Sequence, residues 1–382
     1  MLELKSKLPG AGTTIFTVMS RMALEHGAIN LSQGFPDFDG PPLLRERVTW
    51  HLEHGHNQYA PMAGVPELCE QIAHKVHTLY GRVVDPQREV TVTPGATEAI
   101  YCAVTAVVHP GDEAIIFDPA YDTYAPAIRL NGGITHRIPT VYPDFRIDWD
   151  RVRDTVNERT RLILLNTPHN PSATTWSQHD IDCLREITYG SRICLVSDEV
   201  YEHIVFDGQT HLSLLRYPDL ASRTFAVFSF GKTYHATGWR VGYCVAPAKL
   251  MQEFLRIHQF INFSTNAPMQ YALADFLREC PKHHCTLAAF YQQKRDLFCS
   301  LLAPSAFRLL PSAGTFFQLA EYSAVSGETD MDFVNRLTRE HKVAAIPVSV
   351  FYEHPPDQRV IRFCFAKGDD TLREAAARLL AA

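Results

Sequence analysis

Short apolar, β-branched runs alternate with longer amphipathic segments from about residue 89 onward. The runs are EVTVT (89–93), AIIF (114–117), LILL (162–165), ICLV (193–196) and FAVF (225–228). Because continuous apolar strands separated by helices are typical of a parallel sheet covered on both faces, this pattern predicts an α/β fold. GATEAIYCAVTAVV has the apolar spacing of a helix, whereas GWRVGYCVAP follows FAVFSFGK too closely for a helical crossover and predicts an antiparallel strand.

The pattern changes beyond about residue 285. FRLLPSAGTFFQLAEY, the helical MDFVNRLTREH, VAAIPVSVF and RVIRFCFA together predict a smaller α+β unit. The first forty residues contain QGFPDFDGPP, whose Gly and Pro content predicts an arm or loop. We therefore expect an N-terminal arm at 1–44 that packs with the small domain, a large domain at 45–285 and a small C-terminal domain at 286–382.

A polar or turn-forming residue follows each apolar run of the large domain. PGAT follows the first run, Asp118 and Asn166 follow the next two, and SDEVY and SFGK follow the last two. Open α/β sheets bind their ligands at the carboxyl ends of the strands. The sequence thus predicts one shared site at this edge of the sheet.

Composition and charge exclude several classes of partner. The 36 Lys and Arg against 42 Asp and Glu leave a net charge of −6, which argues against a nucleic-acid surface. No apolar stretch approaches the ~18 residues that span a bilayer, and the first residues lack the apolar core of a secretory signal. We expect a soluble, cytoplasmic protein without a membrane partner. The nine cysteines form no CxxC pair, and the histidines of HLEHGH and HH lack further ligands at workable spacing, so no metal is expected.

Lys232, in SFGKTYHATGWRVGY, is the residue with the most telling position. GKT suggests a P-loop, but Ala226 stands where the first glycine of that motif is required, so the P-loop interpretation fails. A desolvated lysine is a nucleophilic amine that bonds to carbonyl carbons. Asp198 ends the neighbouring run, and a carboxylate in a dry site keeps a pyridine nitrogen protonated. With the helix start at Gly95 as a phosphate site, these groups match the needs of pyridoxal phosphate.

The motifs in their order and spacing carry a resemblance to a known family. They are INLSQGFPDF, NQYAPMAG, TPGATEA, DPAYDTY, NTPHNP, SDEVYEHI, SFGKTYHATGWRVGY and IRFCFA. Over nearly its whole length the chain resembles the class I pyridoxal-phosphate aminotransferases of fold type I. It is most similar to the methionine-preferring and kynurenine groups, through QGFPDF, NTPHNPSAT and FGKTYHATGW. The resemblance implies a large domain with a mostly parallel seven-stranded sheet covered by helices, plus a smaller α+β domain.

The resemblance also implies roles for individual residues toward the cofactor. Lys232 would hold pyridoxal phosphate covalently and move the substrate proton, and Asp198 would contact the pyridine nitrogen. Asn170 and Tyr201 match the positions that contact the phenolic oxygen, and Tyr121 matches the aromatic that stacks on the ring. The phosphate site would comprise Gly95, Ala96, Thr97, Ser229 and Arg240, with Tyr59 reaching the phosphate of the neighbouring subunit. A homodimer is therefore expected.

On the substrate side, the resemblance implies that Arg362 binds the α-carboxylate, assisted by Asn170 and the backbone of Gly34. Phe16, and Phe263 from the partner subunit, match aromatic residues around the substrate side chain, which suit methionine, aromatic amino acids and kynurenine. Two positions depart from the family pattern. NPSA replaces the usual NPTG, and Gly231 precedes the lysine in place of a serine or threonine.

These expectations combine into transamination between an L-amino acid, with methionine favoured, and a 2-oxo acid. The sequence contains no evident second arginine for a side-chain carboxylate, so aspartate is not expected as the main donor. A cysteine-conjugate or cystathionine β-lyase would use the same lysine and aspartate and stays an alternative. A non-catalytic pyridoxal-phosphate-binding module is a third candidate, although the chain has no room for the DNA-binding extension of such regulators.

Overall fold

The computed structural model describes residues 4–382, in which strands and helices alternate along most of the chain. Its strands are β1 (Ile29–Asn30), β2 (Val90–Thr93), β3 (Glu113–Asp118), β4 (Ile134–Pro139), β5 (Thr160–Asn166), β6 (Cys194–Asp198), β7 (Thr224–Ser229), β8 (Gly242–Val245), β9 (Arg308–Leu309), β10 (Phe317–Glu321), β11 (Val343–Ala344), β12 (Ile346–Pro347) and β13 (Val360–Cys364). Its helices are α1 (Ile15–Glu25), α2 (Pro42–Glu53), α3 (Pro66–Tyr80), α4 (Ala96–Val107), α5 (Tyr124–Leu130), α6 (Trp149–Thr155), α7 (Gln178–Thr188), α8 (Pro218–Ala221), α9 (Phe230–Thr233), α10 (Ala248–Ile261), α11 (Ala267–Glu279), α12 (Leu287–Leu302), α13 (Asp330–Arg339) and α14 (Asp369–Leu379).

The larger sheet has seven strands in the order β2-β8-β7-β6-β5-β3-β4. Only β8 runs against its neighbours, pairing antiparallel with β2 and β7, while the other pairs are parallel. The predicted antiparallel strand and the mostly parallel sheet are thus confirmed. Asn166 at the end of β5 lies in register with Asp198 at the end of β6, which brings the polar strand ends side by side.

Alternate residues of each central strand face opposite sides of this sheet, as the period of a strand requires. Leu162 and Leu164 of β5 face a core that α4, α5 and α10 complete. Ile163 and Leu165 of the same strand pack with residues of α6 and α7 on the other side. The strands are therefore apolar on both faces because both faces are covered by helices.

A second, four-stranded antiparallel sheet has the order β12-β13-β10-β9. Its core includes side chains from α12, α13 and α14, together with Met19 and Ala23 of α1. β1 pairs in parallel with β11. Residues 1–3 of the predicted N-terminal arm lie outside the described residues, and the boundaries at 44 and 285 stay a prediction.

Two elements differ from the expectation from sequence. The N-terminal forty residues, expected as an arm or loop, contain the 11-residue helix α1, which Thr14 caps by accepting from the Thr17 amide. β4 was not predicted, because this edge strand is mostly half-exposed and lacks a continuous apolar run. None of the helices within residues 4–382 combines the length and the apolar character that a membrane crossing requires.

Candidate active site

The carboxyl ends of the large sheet open into a cavity of about 270 Å³. It lies where β5, β6 and β7 end, and residues from the N-terminal segment and from β13 close it on the other side. The cavity is lined by Phe16, Gln33, Gly34, Ala96, Thr97, Ile100, Tyr121, Tyr124, Asn166, Asn170, Asp198, Val200, Tyr201, Ser229, Lys232, Arg240, Phe317 and Arg362. Most of the residues predicted for the site therefore share one cavity.

Lys232 projects into this cavity from the short helix α9, which begins directly after β7. Its Nζ donates to the Gly34 carbonyl over 3.0 Å. Burial lowers the pKa of Lys232 to about 8, and the positive charges of Arg240 and Arg362 act in the same direction. Roughly a tenth of this amine is therefore neutral, and nucleophilic, at pH 7.

Gly231, the departure from the family pattern, is explained by the tight packing around this turn. A Cβ at this position would lie 3.0 Å from Thr237 Cα and 3.2 Å from the Ala236 carbonyl oxygen. Contacts that short to backbone atoms leave little room for any side chain. The absence of a side chain lets the segment after α9 pass close to Lys232.

Asp198 is buried at the end of β6, within the same cavity. Its Oδ2 accepts from the Tyr124 hydroxyl over 2.7 Å, and its Oδ1 accepts from the Val200 amide over 3.3 Å. Burial raises the pKa of Asp198 to about 6, and the two hydrogen bonds and the Lys232 charge oppose that rise. The carboxylate is thus desolvated but remains largely ionised at neutral pH.

The first turn of α4 and Arg240 form a site suited to an anion. The first amides of a helix have no acceptor within the helix and lie at the positive end of its dipole. Gly95, the N-cap of α4, has a φ of +89°, and a Cβ there would lie 2.5 Å from Arg240 Nη2. Glycine at this position therefore allows the guanidinium to approach the helix start. A phosphate group fits this arrangement of amides and guanidinium.

Arg362 is a fully buried arginine on β13, with 0% exposure. Its Nη1 donates to Asn170 Oδ1 over 2.5 Å and its Nη2 to the Ser32 carbonyl over 2.9 Å, while its Nε is buried without a partner. No carboxylate in residues 4–382 forms a salt bridge with this guanidinium. Burial lowers its pKa to about 10, which still leaves it charged. A buried cation without a counterion is a strong candidate to bind an anionic ligand.

A buried ionic network supports the turn that follows Asp198. Glu202 accepts hydrogen bonds from Lys75 of α3 and from the Tyr80 hydroxyl, and Lys75 Nζ also donates to the Tyr243 hydroxyl over 2.6 Å. Tyr201, one residue earlier, packs edge-on against Phe316 with ring centroids 5.1 Å apart. The network and this packing fix the position of Tyr201 at the cavity wall.

Three predicted site residues do not line the cavity. Tyr59 and Phe263 are 84% and 50% exposed, and their rings contact each other at 5.4 Å outside the cavity of their own chain. Gly95 does not line the cavity, but its lack of a side chain leaves room for the Arg240 guanidinium.

Asp118 was expected at the shared strand edge. It instead pairs with Arg137 of β4, because β3 lies near the edge of the sheet where that partner is available.

Other lining residues were missed by the site prediction from sequence. These are Gln33, Ile100, Tyr124, Asn166, Val200 and Phe317. A signal existed for four of them. Asn166 was recognised as a polar strand end, and Tyr124, Gln33 and Val200 belong to the motifs DPAYDTY, INLSQGFPDF and SDEVYEHI. Ile100 and Phe317 are apolar, and nothing in the local sequence distinguishes them from core residues.

Comparison with known proteins shows the family. The family model described as "Aminotransferase class I and II" matches residues 26–379. The methionine aminotransferase of Escherichia coli is 55% identical over 375 residues, covering 98% of this chain and 97% of the relative. A solved structure of an Escherichia coli protein described as having a methionine aminotransferase function matches with a TM-score of 0.98 at 54% identity, covering 100% of both chains.

More distant relatives carry other substrate names. A probable N-succinyldiaminopimelate aminotransferase of Mycobacterium tuberculosis is 36% identical and covers 98% of this chain and 97% of its own. The kynurenine–oxoglutarate transaminase of Dictyostelium discoideum is 29% identical, covering 97% and 94%. The predicted similarity to the methionine and kynurenine groups is confirmed. The chain belongs to the class I and II aminotransferases.

Proposed function

We propose that this aminotransferase uses pyridoxal 5′-phosphate to transfer the amino group of an L-amino acid, preferably methionine, to a 2-oxo acid. The observation that carries the proposal is that one cavity of about 270 Å³ contains both the Lys232 amine and the Arg362 guanidinium. The first group bonds to an aldehyde, and the second binds a carboxylate. Enzymes of this family depend on pyridoxal phosphate.

The residues of the cavity fit this cofactor. The Arg240 guanidinium and the first amides of α4, with Ser229, would bind its phosphate. Asp198 would accept a hydrogen bond from its ring nitrogen, and Asn170 and Tyr201 would bind its phenolic oxygen. Tyr121 would pack on the ring. When bound, the cofactor supplies an aldehyde carbon and a ring that accepts electrons from the substrate.

Lys232 has two roles in this proposal. Its neutral amine would bond to the aldehyde carbon of the cofactor and so hold the cofactor in the cavity. In its free form, Nζ would accept the proton from the substrate Cα and donate it again. Its pKa of about 8 suits both roles, because the amine can gain and lose a proton near neutral pH.

Arg362 orients the substrate. Its two terminal nitrogens can bind both oxygens of the α-carboxylate, and the ring of Phe317 lies 3.9 Å from the guanidinium carbon and restricts its movement. Asn170 Oδ1, which already accepts from Nη1, fixes the plane of the guanidinium. Holding the carboxylate in this way would orient the substrate so that its Cα–H bond faces the Lys232 amine.

The preference for methionine has two supports. The relative with 55% identity bears that activity in its name. Phe16 lies 5.4 Å from the Arg362 guanidinium carbon and 6.3 Å from the Tyr121 ring, so an aromatic wall borders the carboxylate site. Thioether sulfurs pack favourably on aromatic rings. Phe263 of a second subunit would add to this wall, and aromatic donors or kynurenine would also be accepted.

We also propose a cytoplasmic homodimer in which Tyr59 of each subunit completes the phosphate site of the other. The exposed position of Tyr59 outside its own cavity supports this arrangement. Nine unpaired cysteines, most of them buried or half-buried, suit a reducing compartment. The proposed organisation is an N-terminal arm (1–44), a large domain (45–285) and a small domain (286–382).

Borohydride reduction followed by peptide mapping tests the role of Lys232. The reductant should fix the cofactor to the peptide that carries Lys232 and to no other. The side chains of Lys75 and Lys294 are also largely buried, and these lysines serve as internal controls because they do not line the cavity. Lys232→Ala should lose multiple turnover while retaining the fold. A label on another lysine, or no label, would refute the proposal.

A panel of amino donors tests the substrate. Methionine should give the highest kcat/KM, with oxo-acid formation exceeding pyruvate release from β-substituted cysteines, which a β-lyase would favour. Arg362→Lys should lower kcat/KM for methionine about 10- to 100-fold, because one of two hydrogen bonds to the charged carboxylate, worth roughly 1.5 to 3 kcal/mol, is lost. A highest kcat/KM with aspartate would contradict the proposed donor.

A further inference from the structure

Three potential metal ligands meet between α4 and α10, away from the active-site cavity. Glu98 and Cys102 lie one helical turn apart on α4, and His258 lies in the last turn of α10. One carboxylate oxygen, the Cys102 sulfur and one ring nitrogen all lie within 4.8 Å of one another. Within residues 4–382, this is the one group of three or more His, Cys, Asp or Glu side chains that meets this distance criterion.

The contacts among the three side chains converge on a single point. His258 Nδ1 lies 2.8 Å from Glu98 Oε1, and the Cys102 thiol donates to the same oxygen over 2.9 Å. Cys102 and His258 are fully buried, and the Glu98 side chain is 11% exposed. The three ligand types therefore face one another in a place that is nearly closed to solvent.

His258 has the orientation of a metal ligand. Its other ring nitrogen, Nε2, lies 3.2 Å from the Met62 carbonyl oxygen and can donate its hydrogen there. In the metal-free protein Nδ1 carries the hydrogen that it donates to Glu98 Oε1, and metal binding at Nδ1 would move that hydrogen to Nε2, where the Met62 carbonyl can accept it. Metal-binding histidines commonly donate their second N–H to a backbone carbonyl in this way.

Hydrogen bonding within the cluster leaves one atom unsatisfied. Glu98 Oε1 has two partners, whereas Glu98 Oε2 is buried with none. A carboxylate that is taken from water should use both oxygens, and a lone buried oxygen costs free energy. A cation that both oxygens contact would remove this deficit.

We infer that Glu98, Cys102 and His258 form a binding site for one zinc(II) ion. Cys102 Sγ, His258 Nδ1 and the two oxygens of Glu98 would give four ligands. Zinc binds such atoms at roughly 2.0 to 2.3 Å, so the direct contacts of 2.8 and 2.9 Å need to open by less than about 1 Å. The metal–sulfur bond forms as the S–H bond breaks, and the thiol proton leaves to solvent.

The chemistry of Cys102 selects the type of cation. Thiolate and imidazole are ligands that zinc prefers, whereas magnesium and calcium prefer oxygen ligands, so a set with one sulfur and one nitrogen favours zinc. Sequence spacing could not reveal this set, because His258 is far from Glu98 along the chain.

The ion would stabilise the fold and take no part in amino transfer. Neither Glu98, Cys102 nor His258 lines the active-site cavity. The site would join the first turn of α4 to α10 and, through His258, to the segment that contains Met62. The inference does not depend on the proposed function, since metal binding can be measured without any assay of activity.

Cobalt(II) is a suitable probe for the site in the full-length, cofactor-loaded enzyme after treatment with a chelator. One cobalt per chain should give the d–d bands of a tetrahedral ion, which lie to the red of the cofactor absorption, and zinc should abolish them. Metal binding should release about one proton per chain in weak buffer from the thiol. Cys102→Ser and His258→Asn should both lose the bands.

Cys285→Ser is the matched control. Cys285 is exposed and its sulfur lies 3.5 Å from His284 Nε2, which makes it a competing thiol–histidine pair, so this variant should keep the bands. Glu98→Gln preserves side-chain shape and serves as a second test should Cys102→Ser fail to fold. It should fold, bind cobalt at least tenfold more weakly and lose most of the zinc-induced rise in Tm. Absence of tetrahedral bands in the wild type, or bands that survive in Cys102→Ser or at full strength in Glu98→Gln, would overturn the inference.

Discussion

Asp198 owes its charge at neutral pH to a balance between burial and hydrogen bonding. Burial raises its pKa to about 6, and the Tyr124 hydroxyl, 2.7 Å away, is the largest influence in the opposite direction. The carboxylate must be ionised to hold a protonated ring nitrogen. Activity is therefore expected to fall as the pH drops through the pKa of Asp198. The hydrogen bond from Tyr124 influences the pH at which that fall occurs.

Tyr124→Phe should move the acid limb of the kcat/KM profile upward by about one pH unit. A hydrogen bond to a charged group is worth roughly 1.5 to 3 kcal/mol, and about 1.4 kcal/mol corresponds to one pKa unit. The ring nitrogen of the proposed cofactor would act on Asp198 alike in both proteins, so the shift between them is the measured quantity. Tyr291→Phe is the control, because its buried hydroxyl has no partner. An unmoved acid limb in Tyr124→Phe would contradict this role.

Individual site residues differed in how well the sequence predicted them. Asp198 was recognisable because it ends an apolar strand, Lys232 because it closely follows one, and Arg362 through a motif. Tyr124 belongs to a motif, but its contact with Asp198 was not predicted, because the direction of a side chain on α5 depends on how that helix packs. Tyr59 and Phe263 lie outside the cavity of their own chain, and no local pattern reports on a second subunit.

Among the elements, uninterrupted apolar runs in the sequence predicted the buried strands. Elements without such a run were not predicted. β3, β5 and β7 are buried along almost their whole length and stand out as short apolar runs. β4 has only one fully buried residue, so the alternation of exposed and buried positions is too weak to mark it. α1 follows a Gly-rich start, and that composition led to the prediction of an arm or loop where the helix lies.

The start of α4 gives a testable prediction about an element. Gly95→Ala would place a methyl group 2.5 Å from Arg240 Nη2 and would also strain a φ of +89°. The guanidinium would have to move, so cofactor dissociation should be at least tenfold faster, with a loss of roughly 1 to 3 kcal/mol in the free energy of unfolding.

Gly81→Ala provides the matched control for this substitution. Gly81 follows α3 with a φ of +72°, but a Cβ there would meet no atom within 4 Å. Its variant should lose about 1 kcal/mol of stability through backbone strain, while the cofactor dissociates at the wild-type rate. Equal dissociation rates in the two variants would show that the contact with Arg240 is unimportant. Absorbance of the bound cofactor and urea unfolding measure the two effects.

For the whole molecule, the site exists only where distant parts of the chain meet. Lys232 and Asp198 belong to the large sheet, Arg362 to the small one, and Gly34 and Phe16 to the N-terminal segment. The Lys232 amine donates a hydrogen bond to the Gly34 carbonyl oxygen, although the two residues are 198 positions apart in the sequence. Such a meeting depends on the relative position of both sheets, which periodicity and spacing do not encode. The motifs supplied this information only through resemblance to a family.

At the scale of the whole molecule, an exposed apolar patch is formed by Tyr59, Phe260, Ile261 and Phe263. Phe260 is 86% exposed and Tyr59 84%, more than a lone soluble chain usually tolerates in neighbouring large apolar residues. We therefore expect a dimer that covers this patch.

Phe260→Asp should shift the dimer toward monomer by placing a charge in the interface. Sedimentation velocity at micromolar concentration measures the shift, with Tyr189→Asp, a 90% exposed aromatic at the end of α7, as the control that stays dimeric. Because Tyr59 is proposed to complete the partner's phosphate site, the Phe260→Asp monomer should also lose its cofactor on dilution. A wild-type monomer that retains the cofactor would exclude this assembly.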